Sequence, residues 1–74
     1  MQKLIDVFND VKPGIDINSN SLIDDGIIDS FDIITLISYV NSEFDIEFPV
    51  SEILPENFNS IKSLYEVINK IVNK

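Results

Sequence analysis

Asp29 and Ser30 place a carboxylate and a hydroxyl side by side at what the flanking pattern makes a helix start. A serine there can act in two ways. It can cap the helix by accepting a backbone N–H, since Ser and Asp are both favoured N-caps. It can also carry an anionic ester, because the free N–H groups and the positive dipole end of a helix N-terminus accommodate negative charge. Asp32 in the first turn suits the same dipole. Asp29 and Asp32 partly oppose a further anion, and would instead draw a basic modifying enzyme, or a metal, toward the hydroxyl. Nucleophilic catalysis is a weaker reading, because a catalytic serine needs a general base and usually an orienter. The chain has no His or Cys, and none of its five lysines is close to Ser30 in sequence.

A second group could do different chemistry. Asp16, Asn18 and Asn20 stand at the spacing of the first three side-chain ligands of an EF-hand loop, and Ile23 falls at its apolar position. Ser21 then occupies the place where the bend needs Gly, and Ile27 the place where a bidentate Glu must close the shell. A calcium-binding module is therefore the rival from another class, and its coordination set is incomplete. Asp16, Asn18 and Asn20 read more simply as turn residues. So do Asp24 and Asp25, the neighbouring carboxylates that would have to serve as acid and base in an enzyme. No metal ligand set and no catalytic residue is assigned.

The elements that position Ser30 follow from apolar spacing. Leu4, Ile5, Phe8 and Val11 recur at helical intervals and Pro13-Gly14 stops them. From Ile15 to Asp29 runs a long connection rich in Asp, Asn, Ser and Gly, studded with Ile15, Ile17, Leu22, Ile23, Ile27 and Ile28. A loop of that length is usually functional or tethered by its own apolar residues. The next helix spans about Ser30 to Phe44, with Ile33, Leu36, Ile37, Val40 and Phe44 on one side. Pro49 opens a short helical turn to about Leu54, Pro55 to Phe58 form another, and Ser60 caps a last helix striped by Ile61, Leu64, Tyr65, Ile68, Ile71 and Val72. No segment alternates long enough for a strand. The expectation is an all-α protein: residues 1–74 as one domain, a small four-helix bundle of three main helices and a short third.

Composition narrows the function classes. Thirteen acidic residues against five basic ones give a net charge of −8, and twelve of the acids fall in residues 1–60 beside only Lys3 and Lys12. Nucleic acid is excluded on that balance, because phosphate backbones require basic clusters. A partner that docks on the acidic body should present Arg or Lys. Without Cys there is neither disulfide nor thiolate metal site, so packing alone must hold the fold. The start of the chain has no apolar signal core and the longest apolar runs are far shorter than a membrane span, which points to a soluble, cytoplasmic monomer. The outer face of the Ser30 helix adds one more feature. Phe31, Ile34 and Ser38 fall opposite the core stripe with Thr35 and Ser42 beside them, so large apolar residues stand just after the serine as a docking patch, unless the terminal turns cover them.

Gly26-Ile27-Ile28-Asp29-Ser30-Phe31-Asp32, followed by Ile33, Leu36, Ile37 and Val40, resembles the G-x-x-D-S-[LFM] signature of the acyl carrier protein family. The similarity extends over nearly the whole chain, through the amphipathic first helix and long loop to Phe44-Asp45-Ile46-Glu47-Phe48-Pro49. Asp-Ser alone is a weak signal; Asp-Ser in this order, length and helix pattern is a strong one. The resemblance implies a right-handed four-helix bundle and makes Ser30 the attachment site of 4′-phosphopantetheine, with Asp29 the flanking motif residue. A phosphopantetheinyl transferase would add the arm from coenzyme A with Mg2+. The arm's thiol would hold an acyl or aminoacyl group as a thioester, and the carrier itself would catalyse nothing. An activating ligase and downstream transferase or synthase enzymes would recognise the second helix, where Phe31, Asp32, Ile34, Thr35 and Ser38 match the family's docking positions.

The pattern also departs from carriers of fatty acid synthesis. Those usually place Glu where Thr35 stands and further Glu where this chain has Asn41 and Ser42, leaving only Glu43. The stretch from Pro49 to Ser60 is longer, and Pro49-Val50-Ser51-Glu52 resembles D-alanyl carrier proteins and other stand-alone carriers served by adenylating ligases. These features imply a dedicated carrier of a specialised pathway, with D-alanyl or peptidyl carriers as the nearest alternative. Ile33, Ile37, Val40, Phe44, Ile61 and Tyr65 are candidates either to shelter a cargo or to form an ordinary close-packed core.

Overall fold

The computed structural model describes residues 2–73. Three α-helices and two 3-10 turns make up the regular structure: α1 (Gln2–Val11), α2 (Ser30–Phe44), turns at Val50–Glu52 and Pro55–Phe58, and α3 (Ile61–Val72). The architecture is all-helical, as expected. The short third helix of the expected bundle is represented by the two 3-10 turns, and Pro55 at the head of the second one fixes the φ that such a turn requires.

Each helix turns its expected stripe toward the core, although in α1 Val7, outside that stripe, is buried while Ile5 and Val11 pack only partly buried. α1 contributes Leu4, Val7 and Phe8, α2 contributes Leu36 and Val40, and Ile33, Ile37 and Phe44 pack half-buried against the same core. α3 differs by one position. Val67 is buried and Val72 exposed, because α3 packs on the Pro55–Phe58 turn as well as on α1, which widens its covered face on the side of residue 67. α1 and α2 are clasped at both ends. Lys3 Nζ lies 5.3 Å from the centroid of the Phe44 ring, while Lys12 Nζ reaches Asp32 Oδ2 at 3.3 Å, so the two helices run antiparallel. Phe48 and Phe58 meet below them with ring centroids 5.8 Å apart at 48°, a tilted pairing favoured by the ring quadrupoles.

The long connection between α1 and α2 is tied down rather than loose. Ile15, Leu22 and Ile28 are buried in the core. Residues 21–26 form a compact turn, with Asp25 N–H donating to Ser21 O (2.8 Å) and Gly26 N–H to Ile23 O (3.0 Å). Gly26 closes it at φ +72°, in the left-handed region that only Gly enters without strain. Asn59, just before α3, then holds this turn from the side. Its backbone carbonyl accepts Leu22 N–H at 2.9 Å, and its Oδ1 accepts Ile23 N–H at 2.9 Å and Asp24 N–H at 3.2 Å. Asn41 does the same for the segment after α2, its Oδ1 accepting Phe48 N–H at 2.9 Å. Asp45 supplies the left-handed C-cap of α2 (φ 53°), returning its N–H to Asn41 O.

Replacing Asn59 with Ala removes the acceptor of two backbone N–H groups, one of them part-buried. The expected loss is about 1–3 kcal/mol, or a fall of several degrees in the thermal midpoint of a domain this size, measurable by circular dichroism. Ser42→Ala, on the exposed face of α2, should leave the midpoint within about 0.5 kcal/mol of wild type.

Candidate functional site

α2 starts with Asp29, not Ser30, as its N-cap. Asp29 has an extended backbone (φ −112°, ψ −174°), and its Oδ1 accepts the Asp32 N–H at 3.0 Å. Asp32 Oδ2 accepts the Asp29 N–H at 3.2 Å in return, completing a reciprocal capping box. Ser30 is the first helical residue, so the reading of its hydroxyl as the cap is corrected. The reason lies three residues on. A cap at Asp29 finds a carboxylate at Asp32, whereas a cap at Ser30 would find Ile33, which has nothing to return. A charged carboxylate is also the stronger acceptor at the positive end of the helix.

Ser30 is thereby left with an exposed, uncommitted hydroxyl. None of the side-chain hydrogen bonds among the described residues engages its Oγ; the local ones belong to Asp29, Asp32 and Thr35. Helix geometry leaves its own N–H and that of Phe31 without intrahelical acceptors. In the same first turn, Asp32 Oδ2 holds the Lys12 ammonium at 3.3 Å. An exposed hydroxyl and two free N–H donors at the positive end of the helix are compatible with a phosphate ester at this position.

The expected docking residues divide into two groups. Phe31 is 78% and Ile34 65% exposed, so the short terminal turns cover neither. Thr35 and Ser38 are exposed beside them, although the Thr35 hydroxyl donates back to Phe31 O at 3.0 Å and is partly satisfied by its own helix. Asp32 stands apart: its side chain is 20% exposed and committed to the cap and to Lys12, which makes it a residue that positions the helix start. Tyr39, one turn beyond Thr35 and 40% exposed, extends the outer face and was not singled out from the sequence. Helical spacing from Thr35 was the available signal. Lys12 was also missed, and its only signal was its rarity in the first sixty residues.

The remaining candidates are engaged in turns. Asp16 Oδ1 accepts the Asn18 N–H at 3.0 Å, an Asx turn of the kind the simpler reading expects. Asp25 Oδ2 accepts from the Ser21 hydroxyl at 2.7 Å while Asp24 Oδ2 faces Asn59 Nδ2 at 3.5 Å, so the two carboxylates serve different partners. Val40 and Ile61 are buried, and Ile33, Ile37, Phe44 and Tyr65 pack half-buried against the core. Of three surface grooves along α3 among the described residues, one is lined by Ile61 and Tyr65 together with Ile5 and Ile17, and none is lined by Ile33, Ile37, Val40 or Phe44. No helix among the described residues is long and apolar enough to cross a membrane.

Comparison with known proteins shows the family. Residues 2–68 match the family described as the phosphopantetheine attachment site. The D-alanyl carrier protein of Streptococcus uberis is 30% identical over 97% of this chain and 94% of its own length. Aminoacyl carrier protein 1 of Bradyrhizobium diazoefficiens is 43% identical over 47 residues, 64% of this chain and 51% of that protein. No solved structure gives a significant match. The chain belongs to the phosphopantetheine attachment site family and is a phosphopantetheine-binding carrier protein.

The cap assignment separates two neighbouring substitutions. Asp29→Ala should lower stability by about 1 kcal/mol through loss of the capping box, while Ser30→Ala should stay within about 0.5 kcal/mol of wild type. Thermal melts of both variants, with amide exchange of the first turn of α2, check this directly.

Proposed function

We propose that Ser30 carries 4′-phosphopantetheine and that the arm delivers an aminoacyl group, activated by an adenylating ligase, to a downstream enzyme of a specialised pathway. The observation that carries the site is the exposed Ser30 hydroxyl at the first helical position, kept out of the cap by Asp29. The family match and the Asp29-Ser30 motif support the cofactor. In the loading step Ser30 Oγ bonds to the pantetheine-bearing phosphorus of coenzyme A and the bond to the departing adenosine 3′,5′-bisphosphate breaks. The hydroxyl proton leaves to a base on the transferase, since this chain has no His or Cys to take it. The bound arm supplies a thiol that holds the cargo as a thioester. The chain's own part is to present the hydroxyl, hold the helix end rigid through Asp29, Asp32 and Lys12, and offer a face to its partners.

An aminoacyl cargo is preferred to a fatty acyl one for two reasons. Both relatives are named as carriers of amino acids, one of them of D-alanine. The grooves flank α3, and the apolar residues of α2 that would have to close over an acyl chain pack against the core. The partner face is apolar at its centre, with Phe31 and Ile34 flanked by Thr35 and Ser38. It therefore fits ligases and transferases whose docking patches combine apolar and basic residues. Such a carrier works as a cytoplasmic monomer.

Incubation with coenzyme A, Mg2+ and a broad-specificity phosphopantetheinyl transferase should add the mass of the arm to wild type and nothing to Ser30→Ala. No gain with several transferases overturns the assignment. The modified chain should then accept amino acids from an adenylating ligase of the same organism. Loading by fatty acids alone would move the cargo to the acyl class. Phe31→Ala should melt like wild type yet lower kcat/KM for ligase loading roughly tenfold, the effect of truncating a central apolar anchor.

A further inference from the structure

Lys12 is the cation paired with the first turn of α2, the turn that Ser30 opens. Its ammonium lies 3.3 Å from Asp32 Oδ2, and that same oxygen accepts the Asp29 N–H at 3.2 Å. Two contacts therefore separate the ammonium from the backbone of the residue preceding Ser30. The lysine backbone is pinned, its N–H donating to Phe8 O at 2.8 Å and its carbonyl accepting the Ile15 N–H at 3.2 Å. Its side chain is 43% exposed on a flexible four-carbon stem, so the charge can swing while the root stays fixed. The other described lysines lie elsewhere. Lys3 lies over Phe44 at the far end of α2, Lys62 lines a groove with Ile5 and Ile17, and Lys70 faces Glu52 at 4.0 Å.

The electrostatics of the site call for such a cation. Asp29 and Asp32 place two carboxylates within one helical turn of Ser30, on a chain of net charge −8. A phosphodiester at Ser30 adds a third anion, and like charges this close repel. The helix dipole offsets part of that repulsion, and its reach is limited to the first turn. A lysine already seated on one of the carboxylates supplies the rest.

We propose that Lys12 is the counter-ion of the phosphodiester, moving from Asp32 alone to a position shared between Asp32 and the phosphate when Ser30 is modified. Lys12 is thus a positioning residue: it fixes the root of the arm against the junction of α1 and the long connection, and leaves the pantetheine free beyond it. The proposal rests on attachment at Ser30. It predicts that the state of the arm is felt at the C-terminal end of α1, through a contact that the unmodified chain makes differently.

The test compares unmodified and modified forms of wild type, Lys12→Gln and Lys12→Arg, each verified by intact mass. Modification should lower the melting midpoint of Lys12→Gln by roughly 1–4 °C more than that of wild type, the scale of one part-exposed ion pair in a domain of this size. The phosphorus-31 resonance of the phosphodiester should differ between wild type and Lys12→Gln, return toward wild type in Lys12→Arg, and lose the difference in about 1 M salt. Equal midpoint changes on modification, with an unmoved phosphorus resonance, overturn the role of Lys12 and leave attachment at Ser30 intact. A missing mass gain in all three proteins overturns both. Because each variant is its own unmodified control, any loss of the Lys12–Asp32 pair in the unmodified state cancels from the comparison.

Discussion

Everything about the site depends on how an irregular connection, running from the end of α1 to Asp29, is held against the core while its backbone polar groups stay satisfied. Burying a backbone amide without a partner is costly, and a chain segment with no helix or strand has no ladder to supply one. Asn59 supplies it instead. One residue accepts three successive N–H groups of the connection, Leu22, Ile23 and Asp24, through its carbonyl and its side-chain oxygen. Ile15, Leu22 and Ile28 are then able to enter the core, and with Ile28 anchored the next residue, Asp29, is delivered at a defined place and angle. Asn41 applies the same solution to the segment after α2. In both cases the amide oxygen accepts backbone N–H groups without bringing a further negative charge to an acidic chain.

The sparse positive charge of the molecule has a related use. Residues 1–60 hold only Lys3 and Lys12 among twelve acids, and both lysines bridge α1 to α2, one at each end of the pair. The Lys3 contact with Phe44 joins a cation to an aromatic face, and the Lys12 contact joins a cation to a cap. Neither pair is deeply buried, so each contributes at most about 1 kcal/mol. Their value lies in orientation. They lie at the two ends of the antiparallel α1–α2 pair, and Lys12, through Asp32, ties the start of α2 to the residue that follows α1.

A division of labour at the helix start follows. Asp29 caps, Asp32 returns the bond, and Ser30 between them takes no part. A serine that capped the helix would have to give up its bond to be modified, coupling modification to local unfolding. Here the residue proposed for attachment is free of that conflict. The adjoining surface is equally independent of the core, since Phe31 and Ile34 contribute little to packing at 78% and 65% exposure. Phe31 and Ile34 are therefore free to serve the partner docking proposed beside Ser30.

What the sequence determined by itself was periodic or local. The three helices, the stop at Pro13-Gly14, the turns after Pro49 and Pro55, the Ser60 cap and the outward face of α2 all follow from spacing and from the chemistry of single residues; the 3.6-residue period decides which side faces the core. The Asp-Ser segment, with its helix pattern, was enough to indicate the family. What the tertiary structure decided was everything that depends on residues distant in sequence. Asn59 meets Ile23 across 36 positions, Lys12 meets Asp32 across a long connection, and the burial of Val67 in place of Val72 depends on where the Pro55–Phe58 turn lands on α3. Even the choice between Asp29 and Ser30 as cap turned on a reciprocal bond with Asp32, whose other contact is Lys12, just beyond the end of α1. Local sequence states what each residue can do; only the packed chain brings the second group within the 3 Å at which a hydrogen bond chooses between them.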